Sequence, residues 1–350
     1  MARMRYRGPF FISLVRESGT GPKAQSEAER VISRYTLRMG ANALALALAV
    51  AVLMVTSMVV TDPGGARDAD TWRRELLDWR AKHVADLQKP DGWLSLAGLE
   101  WLEPGDTSFG GSADNKIHLA NSPAAQLGVL EFKDGVVRLV APAGGFPQGF
   151  LVAGKPAAPQ VLSADADNDK NAVHMTIGAL DLYVIRRSDR FALRVKDTKS
   201  QALQSFHGLK WYEPDEHYRV QAKWIAYNPP KSITVLTLAG TSHEQPVPGE
   251  AEFTLDGETF RLEPAFEEDP PRLFFVLRDA TSTSTTYGAC RFLYTSLPSH
   301  GLTQDGELTL DFNHLENPPC AYTPFATCPL PPPGNRLHIA LPVGELRYHD

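Results

Sequence analysis

Three cysteines in 350 residues are too few for a disulfide scaffold. The chain also lacks the short signatures of the common catalytic folds. It has no dinucleotide fingerprint, no Walker loop, no Gly-x-Ser-x-Gly elbow and no His-Glu-x-x-His pair. Ten histidines are present, yet His207, His217, His243, His300 and His314 follow no metal-ligand spacing. Asp165, Asp167 and Asp169 alternate as in a calcium loop, but the glycine and distal glutamate of such a loop are missing, so the segment is expected to be a turn. Neither a cofactor nor a metal is expected. The chain is 43% hydrophobic and 22% charged, which excludes wholesale disorder and a polytopic membrane protein.

Net positive charge is confined to the start. Residues 1–38 carry Arg3, Arg5, Arg7, Arg16, Lys23, Arg30, Arg34 and Arg38 against three glutamates, while the whole chain has a net charge of −6. The acidic remainder lacks the basic footprint that nucleic-acid binding needs. Between Arg38 and Asp62 no residue is charged and no proline interrupts a run of Ala, Leu, Val and Met. As a helix, that run is about 30 Å long, the thickness of a bilayer core. A transmembrane helix is expected over residues 39–61, ended by Asp62-Pro63-Gly64-Gly65. With its basic flank first, residues 1–38 become a cytoplasmic tail and the rest is exported, giving a single-pass N-in protein that partners the membrane through 39–61. Secretion after signal cleavage is the alternative. The apolar region is long for a signal peptide, and no Ala-x-Ala follows it.

After the span, Trp72, Leu76, Trp79, His83 and Leu87 recur at helical steps. One short helix is therefore expected over 68–87, capped by Asp68 or Asp70 and ended by Lys89-Pro90-Asp91-Gly92. Residues 93–102 fit either a strand or a helical turn. From about residue 105 onward, short Val/Leu/Ile/Phe/Tyr runs alternate with turn residues. Strands are expected at 128–132, 136–140, 173–186, 190–196, 219–227, 231–238, 251–255, 259–263, 273–278, 289–294, 307–311 and 336–341. Hairpin turns are expected at Asp134-Gly135 and Asp256-Gly257. The fold class is mainly β, a sandwich or barrel-like body over residues 68–347. The Pro/Gly-rich stretches 141–160 and 240–250 are candidate boundaries, and the first splits the body into two sub-units.

Several segments resemble the bacterial domain of unknown function 1684 family. They are 91–102 (DGWLSLAGLEWL), 190–197 (RFALRVKD), 206–212 (FHGLKWY), 286–294 (TYGACRFLY), 311–313 (DFN), 317–331 (NPPCAYTPFATCPLP) and 335–337 (NRL). The resemblance spans about residues 70–347. It departs at Cys290, where such proteins usually show glycine. The family implies no activity, so chemistry must be read from the residues.

Seven prolines fall between 318 and 333, which excludes regular helix or sheet there. Asp311, Asn313, Asn317, Asn335 and Arg336 surround this rigid segment. They either face a ligand, as loops on β scaffolds do, or satisfy the loop's own backbone. A second cluster joins Asp279, Tyr287 and Arg291, and a third joins Arg194 and Asp197. Each fits an anionic ligand or internal Arg–Asp pairing. Cys320 and Cys328 form a disulfide, remain free thiols, or act as reactive or ligating groups. Three readings follow. The first is a small or anionic ligand bound at the Pro-rich loop, with Asp279, Tyr287, Asn313, Asn317 and Asn335. The second is a hydrolase with Asp311 as base and Arg291 or Arg336 steadying an anion. The third is a purely structural envelope protein.

Overall fold

The computed structural model describes residues 63–165 and 172–349. The expected tail 1–38, the expected span 39–61 and residues 166–169 of the acidic turn lie outside the described residues. Among the described residues no helix is long and apolar enough to cross a membrane.

The helix after the span runs from Pro63 to Leu87 and is here called α1; at 25 residues it is longer than the short helix expected. Proline is favoured in a first turn because its missing N–H would have no partner there. Asp68 and Asp70 are thus interior residues rather than caps. Trp72, Leu76, Arg80 and Leu87 are buried along one face. The chain then turns so tightly that a side chain at Gly92 would meet the carbonyl of Asp86 at 2.5 Å and that of Leu87 at 2.6 Å. Residues 93–102 resolve into a 3₁₀ turn, Trp93–Ser95, and a strand, Leu96–Trp101.

The body is mainly β and none of its sheets closes into a barrel. Leu96–Trp101, Arg190–Asp197, Leu180–Arg187, Met175–Ile177, Leu151–Val152 and Lys155–Pro156 form a six-stranded sheet. A five-stranded sheet contains Gly105–Gly110, Gly128–Lys133 and Val136–Val140. Both sheets feed one buried cluster that includes Phe109, Leu130, Leu139, Phe150, Leu182 and Leu193. Farther along the chain, Arg219–Leu236, Ser242–Leu255, Glu258–Leu262 and Gly306–Asp311 make a four-stranded sheet. Ala265–Glu268, Pro271–Leu277 and Arg291–Thr295 make a three-stranded one. Trp224, Phe253, Phe275, Leu310 and Phe312 lie in the second core.

Both expected turns are tight hairpins with two left-handed residues, Asp134 (φ 51°) with Gly135 (φ 74°) and Asp256 (φ 52°) with Gly257 (φ 82°). From the stretch 141–160, Phe150 and Val152 are buried in the first core, and 242–250 is part of a strand. The two strands expected at 219–227 and 231–238 are one 18-residue strand. Its pairing register shifts between Ala226 and Lys231, where Pro229 and Pro230 have no N–H to give the ladder. The strand expected at 336–341 does not form; only an isolated bridge joins Arg278 and Arg336.

Gly249 packs where strand Arg219–Leu236 meets its partner. A Cβ there would lie 2.5 Å from both the Ile225 carbonyl and Trp224 Cζ2, and Trp224 is fully buried. Gly249→Ala is expected to cost about 1–3 kcal/mol through overpacking, read as a lower urea midpoint with an unchanged far-ultraviolet spectrum.

Candidate active site

α1 lies against the C-terminal half of the chain through a seam of aromatic and charged groups. Trp79 and His83, one turn apart, stack with ring centroids 5.5 Å apart. Trp211 meets Trp79 edge-on at 5.6 Å, and His314 does so at 4.6 Å. Arg80 lies over the Trp211 ring at 4.8 Å. Trp72 donates its indole N–H to Asp311 Oδ2 at 2.7 Å, pinning the middle of the helix to the end of strand Gly306–Asp311.

His83 stands between two buried carboxyl groups. Its Nδ1 is 3.2 Å from Glu316 Oε2 and its Nε2 is 3.5 Å from Glu345 Oε2. The second contact is long for a hydrogen bond and acts through charge. Glu316 is set by backbone pairing with Phe292, Phe292 N–H to Glu316 O at 2.9 Å and Glu316 N–H to Phe292 O at 3.0 Å. Glu345 follows Gly344, whose φ of +81° and close approach to the Leu315 carbonyl exclude a larger residue. Fully buried, Glu345 accepts from Asn317 N–H at 2.9 Å, Asn317 Nδ2 at 2.7 Å and Tyr322 Oη at 2.6 Å.

The electrostatics follow from burial. Desolvation, reinforced by the charge of Glu345 and opposed by His83 and Arg272, pushes Glu316 up to about 7. For His83, burial works to lower the pKa, but contact with Glu345 and the charges of Glu316 and Glu345 outweigh it, and the pKa is raised. Burial beside Glu345 drives the Tyr322 phenol far above its ordinary range. Glu316 and His83 thus face each other with both pKa values raised, and their titrations belong to the pair.

This pair lines a cleft of about 430 Å³. Trp79, Trp93 and Tyr294 supply aromatic walls, and Lys82, Lys89 and Arg272 line it together with Asp91 and with Asp86, which pairs with both lysines. Arg272 packs over the Tyr294 ring at 3.7 Å and pairs with Glu267 at 2.6 Å. The cleft can hold a small molecule against flat apolar surfaces, with a proton donor and acceptor beside it. Among the described residues no group of three or more His, Cys, Asp or Glu side chains is placed to hold a metal ion.

Asp311 borders a neighbouring hollow of about 260 Å³ with Trp72, Tyr294 and His314. It accepts from Trp72, from Asn313 N–H at 3.1 Å and from Asn313 Nδ2 at 2.9 Å. Burial would raise its pKa, but His314 and Trp72 more than offset this and hold it below the usual carboxylate range. Asn313 spans to the backbone of Asp215, with its Nδ2 donating at 2.8 Å and its Oδ1 accepting at 2.9 Å. Asn335 does the same for Glu263, at 2.8 Å both ways, and also donates to Val276 O at 3.0 Å. Arg291 and Asp279 are a fully buried pair, and Arg291 also donates to Val343 O at 2.6 Å and Leu341 O at 2.9 Å. Tyr287 donates to Cys320 O at 3.1 Å, and Arg336 is exposed. Of the residues singled out in the sequence, only Asn317 touches the carboxyl pair. Of the three readings for Cys320 and Cys328, the structure has them as free thiols, with the Cys320 N–H donating to Cys328 Sγ at 3.3 Å.

His83, Glu316 and Glu345 are not among the residues the sequence points to. His83 reads as part of an apolar stripe, Glu316 directly precedes the segment 317–331, and Glu345 lies beyond every segment singled out. A titratable residue at a stripe position, and a glutamate directly before Asn317, were the signals available.

The family model described as "Protein of unknown function (DUF1684)" matches residues 204–346, a stretch that contains Glu316, Asn317, Tyr322 and Glu345. The resemblance expected from about residue 70 onward is thus found in the later half of the chain. None of the curated proteins matches the chain. Among solved structures, the solution NMR structure of an uncharacterized protein from Haloarcula marismortui is 31% identical, covering 41% of this chain and 78% of that chain with a TM-score of 0.34.

Two outcomes follow from these environments. Between the ordinary carboxyl pKa of 4.5 and the folded value of about 7, the folded chain keeps a proton on Glu316 that the unfolded chain has lost. Stability therefore falls as pH rises through that window, by up to about 3 kcal/mol, and raised His83 acts in the same direction. Calorimetry from pH 4.5 to 8 should show the falling melting temperature, and Glu316→Gln should flatten it. Arg291→Met strands Asp279 in the interior and should cost about 3–5 kcal/mol in denaturant titration.

Proposed function

Residues 204–346 belong to the family described as protein of unknown function DUF1684, which names no activity, and from that premise we propose that the chain is a hydrolase working by general acid–base catalysis in the cleft beside α1. The observation that carries this reading is the 3.2 Å contact of His83 with a buried Glu316 that titrates at about 7. A general base works best when its pKa lies near the operating pH. As a water oxygen bonds to the electrophilic atom of the substrate, Glu316 takes the water proton. Glu316 then gives that proton to the leaving group as the old bond breaks, which restores the carboxylate. His83 stays beside it, its Nδ1 3.2 Å away, and steadies the charge. Glu345 stays in place throughout and keeps the imidazole turned toward Glu316.

The cleft's aromatic walls support the expectation of a small ligand. The Pro-rich loop still contributes, since it carries Glu316 and Asn317. Asp311, Arg291 and Arg336 are replaced as the reacting groups in this reading. The two N-terminal sheets around one apolar cluster support a sandwich. The uncharged run 39–61 behind a basic flank supports a single-pass anchor with the body exported.

Hydrolysis is tested with the full-length chain on p-nitrophenyl esters, phosphates and glycosides. Release of p-nitrophenolate by one class is expected, with a pH–rate inflection near 7. Glu316→Gln should lower kcat by about 10²–10⁴-fold while keeping the fold. A chain inert on all three classes, or a Gln variant as active as the parent, overturns the reading.

A further inference from the structure

A second hollow of about 290 Å³ adjoins the cleft and shares Asp91, Gly92 and Trp93 with it. Its floor is the outer face of strand Arg190–Asp197. Phe191, Leu193 and Val195 enter the apolar core, so Arg194 and Lys196 take the opposite face. Arg194 is 8% exposed and sits between Leu99 and Tyr183 on the flanking strands. Its Nε and Nη2 have no hydrogen-bond partner among the described residues. Asp197, expected to pair with it, instead accepts from Asn121 and the Lys199 N–H. Lys196 gives one hydrogen bond, to Asp91 O at 2.8 Å. Pro319, Thr327 and Cys328 line the hollow with them, and Asp91 is the one acidic residue among the described lining.

An unpaired buried guanidinium is costly, and the same chain shows how such a group is otherwise satisfied. Arg291, fully buried, has Asp279 and two carbonyls and leaves only its Nε without a partner, while Arg80, which also lacks partners at Nε and Nη2, lies over the Trp211 ring. The unused donors of Arg194 lie along one edge of its guanidinium, the edge that grips two oxygens of a carboxylate or phosphate at once.

We propose that Arg194 and Lys196 form an anion subsite, so that the substrate carries a carboxylate or phosphate group held there while its reacting portion lies beyond Trp93 in the cleft. This deepens the acid–base reading and rests on it. The site belongs to the chain's own residues and needs no cofactor.

The probes are benzoate, phenyl phosphate and inorganic phosphate, with benzyl alcohol as the uncharged control, titrated into the full-length chain by calorimetry and tryptophan fluorescence. Saturable binding of at least one anion is expected, and none of the alcohol. Benzoate against the two phosphates distinguishes a carboxylate site from a phosphate site. Arg194→Met should weaken the bound anion at least tenfold while the ligand-free melting temperature stays level or rises, because an uncompensated buried charge has been removed. Arg194→Lys should retain part of the affinity. Unchanged anion binding in Arg194→Met overturns the subsite, as does absence of binding by all three anions. A fall in melting temperature with no loss of affinity marks Arg194 as purely structural and also overturns it. Glu316→Gln should bind the anion as the parent does. Failure of the hydrolytic assay with intact Arg194-dependent binding would thus reject the chemistry alone, and the reverse pattern would reject the subsite alone.

Discussion

The contact of His83 with Glu316 and Glu345 ties the helix to the sheets. Burying one carboxyl group costs several kcal/mol if it remains charged, and burying two near each other costs more. Without the imidazole, the seam under α1 would hold two acids with one source of compensation fewer. The helix therefore docks where its histidine offsets charge, and Trp79 and Trp211 seal that position from the side. Stability and acid–base capacity arise from the same arrangement. A pKa raised by burial is a cost to the fold at neutral pH and leaves a carboxyl group able to take up a proton in the cleft.

The Pro-rich segment solves a different problem. A stretch with seven prolines cannot hold itself in place by ladder hydrogen bonds. Asn313 and Asn335 replace those bonds, each clamping the backbone of a distant residue through both ends of its amide. Arg291 does the same for the last irregular stretch by taking the carbonyls of Leu341 and Val343. A density of Asp, Asn and Arg around prolines is here largely the signature of an irregular chain made rigid. Asn317 is the exception, since its amide and N–H fix Glu345 and so connect the loop to the acid–base pair.

Local patterns in the chain were readable where the physics is local. Asp-Gly pairs between alternating runs become hairpins because two left-handed residues are needed there. Trp72 and Leu76 fall on one helical face because the period is short. The merging of 219–227 with 231–238 was hidden because two prolines mimic a strand end, whereas a register shift lets the pairing resume. Residues 336–341 carry a strand's composition, yet the tertiary partners Arg278 and Arg291 claim their backbone. The site was harder still. His83, Glu316 and Glu345 are more than 200 residues apart at the extremes, and nothing local marks a histidine that will meet two acids. Their joint meaning exists only after α1 has packed.

The short connection after α1 then decides how the working surface is divided. Gly92 sits against the carbonyls of Asp86 and Leu87, so the chain leaves the helix without the room a side chain would take. That sharp exit places Trp93 where both hollows meet, with the His83–Glu316 pair on one side and Arg194 on the other. Lys196 holds the connection by donating to Asp91 O. A helix terminus, normally a matter of capping alone, here sets the wall between the hollow that holds His83 and Glu316 and the one that holds Arg194. Widening that exit would move the indole, and the two hollows would lose the wall they share.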